Sequence, residues 1–175
     1  MVLQTGKFYH LYNRTNNNEK LFKEESDYLY FLERYRFYLS RDVLTIAYCL
    51  MPTHFHLVIK VTTDNCPLLK KNFAAFLCGY TKRVNRWYHR HGSLFQPRSK
   101  AKEIKDEAYL LTLVTYVHQN PLRSKLVERL EYWKFSSYPD LAGFRNGILP
   151  DKKFWRRYFP TAKDFRNYSE IMISR

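Results

Sequence analysis

The spacing of apolar positions changes period several times along the chain, and each change marks a boundary between elements. Lys7 to Tyr12 reads as a first strand with Arg14 at its exit, and Asn16-Asn17-Asn18 follows as a polar turn. Between Glu24 and Leu39 the residues Tyr28, Phe31, Leu32, Tyr35 and Leu39 recur at intervals of three and four. That spacing predicts an amphipathic helix, with Ser26 and Asp27 placed to cap it. Leu44 to Leu50 is an apolar run bounded by Arg41-Asp42 and Met51-Pro52, and His54 to Val61 alternates, so two strands joined by a tight turn are expected. Pro67 opens a second helical pattern with Leu69, Phe73, Phe76, Leu77, Tyr80, Val84 and Trp87 on one stripe. Gly92-Ser93 ends it, Leu94 to Ile104 reads as loop or strand, and Asp106 caps a helix ending near Asn120-Pro121.

Strand, helix, strand, strand, helix, a further strand and then a helix is an α+β order. It fits a ferredoxin-like antiparallel sheet with helices packed on one face. At 175 residues the chain is expected to form one domain, 1–175, with a core of about 7–130 and an irregular, aromatic-rich C-terminal extension of about 131–175.

Charge narrows the range of partners. Thirty Lys and Arg against sixteen Asp and Glu give a net +14, spread along the chain with no lone basic tail, which points to a polyanion and first to nucleic acid. Fifteen Tyr, thirteen Phe and three Trp offer rings for the core and for stacking on unpaired bases. The start carries no secretory signal and no apolar run is long enough to span a bilayer, so no membrane partner and a cytoplasmic location are expected. Cys49, Cys66 and Cys78 show neither a disulfide framework nor zinc-ribbon spacing, and read as buried free thiols.

Candidate chemistry starts at Met51-Pro52-Thr53-His54-Phe55-His56-Leu57. On a strand His54 and His56 share one face, while Phe55, Leu57, Ile59 and Val61 share the other, so both imidazoles can converge on a metal ion. Two ligands are too few for a metal site, and the helix after Asp106 supplies further candidates. Its stripe is Leu110, Leu113, Val114 and Val117. Tyr116 lies off that stripe and Asn120 projects about 40° from it one turn later. Gln119 competes with Asn120 for the role of third ligand, and His118 points elsewhere. A divalent ion on His54, His56 and Asn120 would polarise a phosphate for in-line attack by Tyr116.

Several segments then resemble one family, the single-tyrosine HUH transposases, and within it the bacterial REP-associated tyrosine transposases. They are Tyr9-His10-Leu11-Tyr12-Asn13-Arg14, the histidine strand, Gly92 to Lys102, Tyr116-Val117-His118-Gln119-Asn120-Pro121-Leu122-Arg123, and Trp133-Lys134-Phe135-Ser136-Ser137-Tyr138. The resemblance implies a ferredoxin-like fold and Mg2+ or Mn2+ at His54, His56 and Asn120. It further implies cleavage and rejoining of single-stranded DNA at imperfect, REP-like hairpins through a 5′-phosphotyrosine on Tyr116. DNA contacts are expected first from Arg98, Lys100 and Lys102, and then from Arg14, Lys82, Arg83, Arg86 and Arg123. In such a bacterial protein the location would be nucleoid-associated when DNA is bound, and both homodimer and monomer are compatible with the family.

The competing reading is a domesticated protein that binds palindromic DNA or RNA without cutting it. A replication initiator or relaxase typically places its tyrosine in a Tyr-x-x-Lys context, whereas Gln119 stands three residues after Tyr116. A zinc hydrolase lacks an acidic general base near the histidines.

Overall fold

The structure is a computed structural model that describes residues 2–171. Its elements run β1 (Phe8–Arg14), α1 (Glu25–Leu39), β2 (Val43–Met51), β3 (His54–Val61), α2 (Cys66–Trp87), β4 (Lys100–Ile104) and α3 (Glu107–Arg123). Three short helices follow, α4 (Tyr138–Leu141), α5 (Lys152–Trp155) and α6 (Ala162–Ser169). The strands form one antiparallel sheet in the order β2-β3-β1-β4. This is the split βαβ arrangement of a ferredoxin-like fold, in which the hairpin strand β3 inserts between β1 and β2.

Alternation along β3 divides the core. Phe55, Leu57, Ile59 and Val61 join Phe31, Tyr35, Phe76 and Tyr80 of α1 and α2 on one face. Val58, together with Ile46, Ala47, Cys49 and Met51 of β2, meets Leu110, Val114 and Val117 of α3 on the other, where Tyr138, Trp155 and Phe165 of the C-terminal helices complete the cluster. Helices therefore cover both faces of the sheet and not one as expected. The physical reason is the apolar content of β2 on the histidine side, which must also leave water.

Four local readings are corrected by the packing. Glu24, not Ser26, is the N-cap of α1, and Asp27 closes a capping box by accepting from the backbone N–H groups of Lys23 (2.9 Å) and Glu24 (3.2 Å). Trp87 is 63% exposed despite sitting on the apolar stripe of α2; it lies in the last helical position, with the Arg83 guanidinium 5.5 Å from its ring. Of the three thiols only Cys49 is buried, whereas Cys66 is partly exposed and Cys78 lies exposed on α2. Pro121 does not end α3, which continues to Arg123.

Candidate nucleic-acid cleavage site

Strand register assembles the site. Residues opposite one another in an antiparallel pair point to the same face. β1 sets Tyr12 against His56 and Arg14 against His54, while β4 sets Lys100 against Tyr12 and Lys102 against His10. Two imidazoles thus open a row of aromatic and basic groups across three strands. His54 and His56 stand edge to face with centroids 5.0 Å apart, and His10 stacks on Tyr12 at 4.6 Å.

Each imidazole of the pair has one ring nitrogen engaged. Nδ1 of His54 meets Thr53 Oγ1 at 3.1 Å, and Nδ1 of His56 meets Nε2 of His10 at 2.9 Å. The Nε2 atoms are what remains for a ligand. Burial holds the pKa of His54 below its ordinary value, helped by Arg14, and lowers His56 further with help from His10 and His54. Burial and then Lys102 bring His10 down to about 4. All three rings are neutral near pH 7, the form in which imidazole coordinates metal.

The candidate for a third donor lies on α3. Pro121 has no N–H to give Val117, its i−4 partner, and that carbonyl accepts instead from Asn120 Nδ2 at 3.3 Å, with Tyr116 O accepting from the same nitrogen at 3.1 Å. Carbonyls only accept, so the amide orientation is fixed with its nitrogen inward and Oδ1 is the atom left for a ligand. Gln119 is committed elsewhere: its Nε2 donates to Ser169 O (2.9 Å) and Ile171 O (2.8 Å), and its Oε1 accepts from Arg123. Of the two amides, Asn120 is the one that lines the cleft with His54 and His56. His118, read as pointing elsewhere, is buried, with Nε2 against Ser137 Oγ at 2.7 Å.

A cleft of about 720 Å3 gathers Tyr12, Arg14, His54, His56, Arg98, Lys100, Tyr116 and Asn120 on its walls. Tyr116 and Asn120 enter from α3, the histidines from β3, and Arg98 from the loop before β4. The other expected DNA contacts scatter. Lys82 lines a second cavity that also includes Arg98. Lys102 donates to Tyr109 Oη at 3.0 Å, Arg123 lies 5.6 Å from the Tyr116 ring, and Arg86 is exposed on α2. Arg83 pairs with the fully buried Asp27 at 2.9 Å. Among the described residues no group of three or more His, Cys, Asp or Glu is arranged to hold a metal. An ion on the histidine pair would need the amide oxygen of Asn120, water or substrate oxygen to complete its shell. Sequence reasoning does not reach His10, Tyr12, Asn13 and Gln96 as site residues; for His10 and Tyr12 the legible signal is the period-two alternation with Arg14 along β1.

This geometry bears comparison with known proteins. No protein-family model matches the chain. Over 102 residues it is 28% identical to a Haemophilus influenzae (strain ATCC 51907 / DSM 11121 / KW20 / Rd) protein described as "Putative REP-associated tyrosine transposase". The alignment covers 54% of this chain and 58% of that relative, so the chain spans little more than half the length of the curated protein it matches. The fold superposes on a solved REP-associated tyrosine transposase bound to a REP hairpin, with a TM-score of 0.59 and 17% identity over 86% of this chain and 91% of that one. The chain resembles the REP-associated tyrosine transposases. The likeness to these transposases extends to the α+β architecture and its four-stranded antiparallel sheet.

Proposed function

We propose that the protein is a metal-dependent, single-tyrosine HUH-type transposase that cuts and rejoins single-stranded DNA beside hairpins. The observation that carries the reading is the convergence of Tyr116, Asn120, His54 and His56 on one cleft whose remaining charged groups, Arg14, Arg98 and Lys100, are all cationic. Such a cleft draws in a phosphodiester and leaves a phenol beside it. The relatives named as REP-associated tyrosine transposases support the same substrate class.

The donor set fits a divalent ion. Nε2 of His54, Nε2 of His56 and Oδ1 of Asn120 are the atoms that neighbouring hydrogen bonds leave available. Two imidazoles suit Mn2+ better than Mg2+, which prefers oxygen. When bound, the ion supplies Lewis-acid polarisation of a phosphate oxygen. Arg14, Arg98 and Lys100 hold the strand by its phosphates, and the Tyr116 oxygen attacks phosphorus in line. The bond to the 3′ oxygen breaks as the bond to the phenolic oxygen forms. The phenolic proton is released and the departing 3′ oxygen takes one up, leaving a 5′-phosphotyrosine and a free 3′ hydroxyl. Attack by another 3′ hydroxyl reverses the step and joins strands.

Incubation with Mn2+ and a hairpin-bearing oligonucleotide tests the reading. A covalent adduct should run above the free protein on a denaturing gel and vanish in Tyr116→Phe. An adduct that persists in Tyr116→Phe overturns the nucleophile, and hairpin binding with no cleavage under any divalent metal favours a domesticated binding protein instead.

A further inference from the structure

The proposed cleavage needs a proton for the departing 3′ oxygen, and the walls of the cleft hold few groups able to give it. None of the lining residues is acidic. His54 and His56 serve as neutral ligands in the proposed site, and arginine keeps its proton in proteins. Apart from the nucleophile itself, Lys100 and the phenol of Tyr12 remain. In the strand register Tyr12 is the direct partner of His56, whereas Lys100 is exposed on β4, one strand further from the histidine pair. The Tyr12 ring is half-buried, and among the described residues no hydrogen bond engages its hydroxyl.

The position of Tyr12 suits the geometry of the step. In-line displacement sets the attacking and leaving oxygens on opposite sides of phosphorus. Near the nucleophile α3 lies over β2, because His118 Nε2 meets Ser137 Oγ, which accepts from the backbone N–H of Tyr48 on β2 at 2.8 Å. The sheet order β2-β3-β1 then puts the histidine strand between the helix that carries Tyr116 and the strand that carries Tyr12. Neighbouring contacts hold that end of β1. The Tyr12 ring stacks on His10 with centroids 4.6 Å apart. Asn13, 7% exposed, donates through Nδ2 to Gln96 O at 3.1 Å and to Ser99 Oγ at 2.8 Å. This clamps Arg98, which borders both the cleft and the second cavity, in a left-handed conformation with φ of 62° that persists only where the surroundings enforce it. The phenol and one phosphate-holding guanidinium are thereby tied to the same strand end.

We propose that Tyr12 is the general acid of the cleavage step, its hydroxyl donating to the 3′ oxygen as that oxygen leaves phosphorus. The inference rests on the proposed function and adds a second tyrosine with a different task. As Tyr116 bonds to phosphorus it loses its proton to water. The bond from phosphorus to the 3′ oxygen breaks with its electron pair on that oxygen, and the Tyr12 proton passes to it, leaving a 3′ hydroxyl and a Tyr12 phenolate. The cationic side chains of Arg14 and Lys100, on the same cleft wall, balance the charge of the phenolate. In joining, the phenolate takes the proton of the attacking 3′ hydroxyl, and Tyr116 recovers its own from water as it departs.

A change of leaving group tests the assignment. Once the linkage cut by the parent is mapped, adduct formation with Mn2+ is timed in single turnover on two hairpin oligonucleotides, one with the natural 3′ oxygen at that linkage and one with sulfur in its place. A thiol with pKa about 8.5 is a far better leaving group than an alcohol and departs without a proton. Tyr12→Phe keeps the ring on His10 and removes a hydroxyl that makes no hydrogen bond, so the variant folds as the parent does. Rates are taken per hairpin-binding protein, so that any misfolded fraction does not count. Tyr12→Phe should cut the oxygen linkage about 100- to 10,000-fold more slowly than the parent and the sulfur linkage at the parent's rate. An undiminished rate on oxygen, or equal loss on both linkages, overturns the general acid while adduct formation by the parent keeps the proposed function standing. Absence of adduct from the parent with both substrates overturns that function and this assignment with it.

Discussion

Asn120 Nδ2 donates to Val117 O, the carbonyl that Pro121 leaves without its usual helical donor. A residue that would ordinarily break a helix thereby orients an amide on the wall of the cleft. Pro121→Ala restores the backbone N–H at 121 and gives Val117 its ordinary partner. The expected outcome is a melting temperature equal to or above that of the parent, since an interior proline costs a helix up to about 3 kcal/mol, with part of the gain offset by poorer packing where the buried ring stood. Mn2+ affinity by calorimetry should fall several-fold, because the amide is no longer held with its nitrogen inward. A stable variant with unchanged Mn2+ affinity would show that the proline does not position Asn120.

The His10 contact with His56 predicts a support role for the proposed ion. Coordination through Nε2 of His56 leaves the proton on Nδ1, and His10 Nε2, 2.9 Å away, is then the acceptor that holds the ring in place. His10→Phe keeps the bulk and removes the acceptor, and should weaken Mn2+ binding by about 10- to 100-fold. His10→Gln retains an acceptor and should stay closer to the parent. Electron paramagnetic resonance of bound Mn2+ checks both, and equal loss in the two variants would point to packing alone.

Arg83 separates from the other cations in what it does. Its pairing with Asp27 predicts that Arg83→Ala lowers stability without changing how DNA affinity responds to salt. Arg98→Ala and Lys100→Ala should each flatten the slope of log affinity against log salt by about 0.7 for every phosphate left without its cation, measured by fluorescence anisotropy. A flattened slope in Arg83→Ala would return that residue to the DNA-binding set.

Asp27 is the centre of that internal pairing. Burial raises its pKa, but hydrogen bonds from Tyr88, the Lys23 N–H, Arg83 and the Glu24 N–H outweigh burial and hold it below 3.8. A lowered carboxylate pKa means stability present above the unfolded value and lost as pH falls through the folded one. Asp27→Asn should cost about 3 kcal/mol in urea denaturation at pH 7, since it leaves Arg83 without its counter-ion. A loss near zero would mean the cluster is replaceable by a neutral cap.

His118 adds to the acid sensitivity that His10, His54 and His56 also carry. Burial lowers its pKa to about 3, below the ordinary 6.5. Between those values the unfolded chain binds a proton that the folded protein refuses, so stability falls as pH drops, by up to about 1.4 kcal/mol per pH unit. His118→Gln should remove close to one proton from the slope of unfolding free energy against pH between about 4.5 and 6. An unchanged slope would assign the acid sensitivity to other histidines.

Much of this is legible in the order of residues. The periods of three to four and of two place α1, β3 and the start of α2 within a residue or two, although α2 stops at Trp87, short of the Gly92-Ser93 break, and His54 and His56 are on one face because a strand leaves no other choice. Tyr116 and Asn120 are neighbours one turn apart for the same reason. Less legible is the end of α3, because a proline argues against helix unless a side chain replaces the lost donor. The buried or exposed state of Arg83, Trp87 and Cys78 is also hidden, since each sits where helical periodicity alone does not say what lies across from it.

By itself the sequence determined which side chains share a face of their own element, because backbone geometry fixes that direction locally. It determined the net positive charge as well. Only the tertiary structure decided that Asn120 and not Gln119 lines the cleft with the histidines, that His10 backs His56, and that Asn13 clamps a strained Arg98 between two cavities. Those relationships join residues 46 and 83–86 positions apart, or depend on what packs against a helix face, as α6 does on Gln119. Strand register and long-range packing set them, and neither is written in local periodicity.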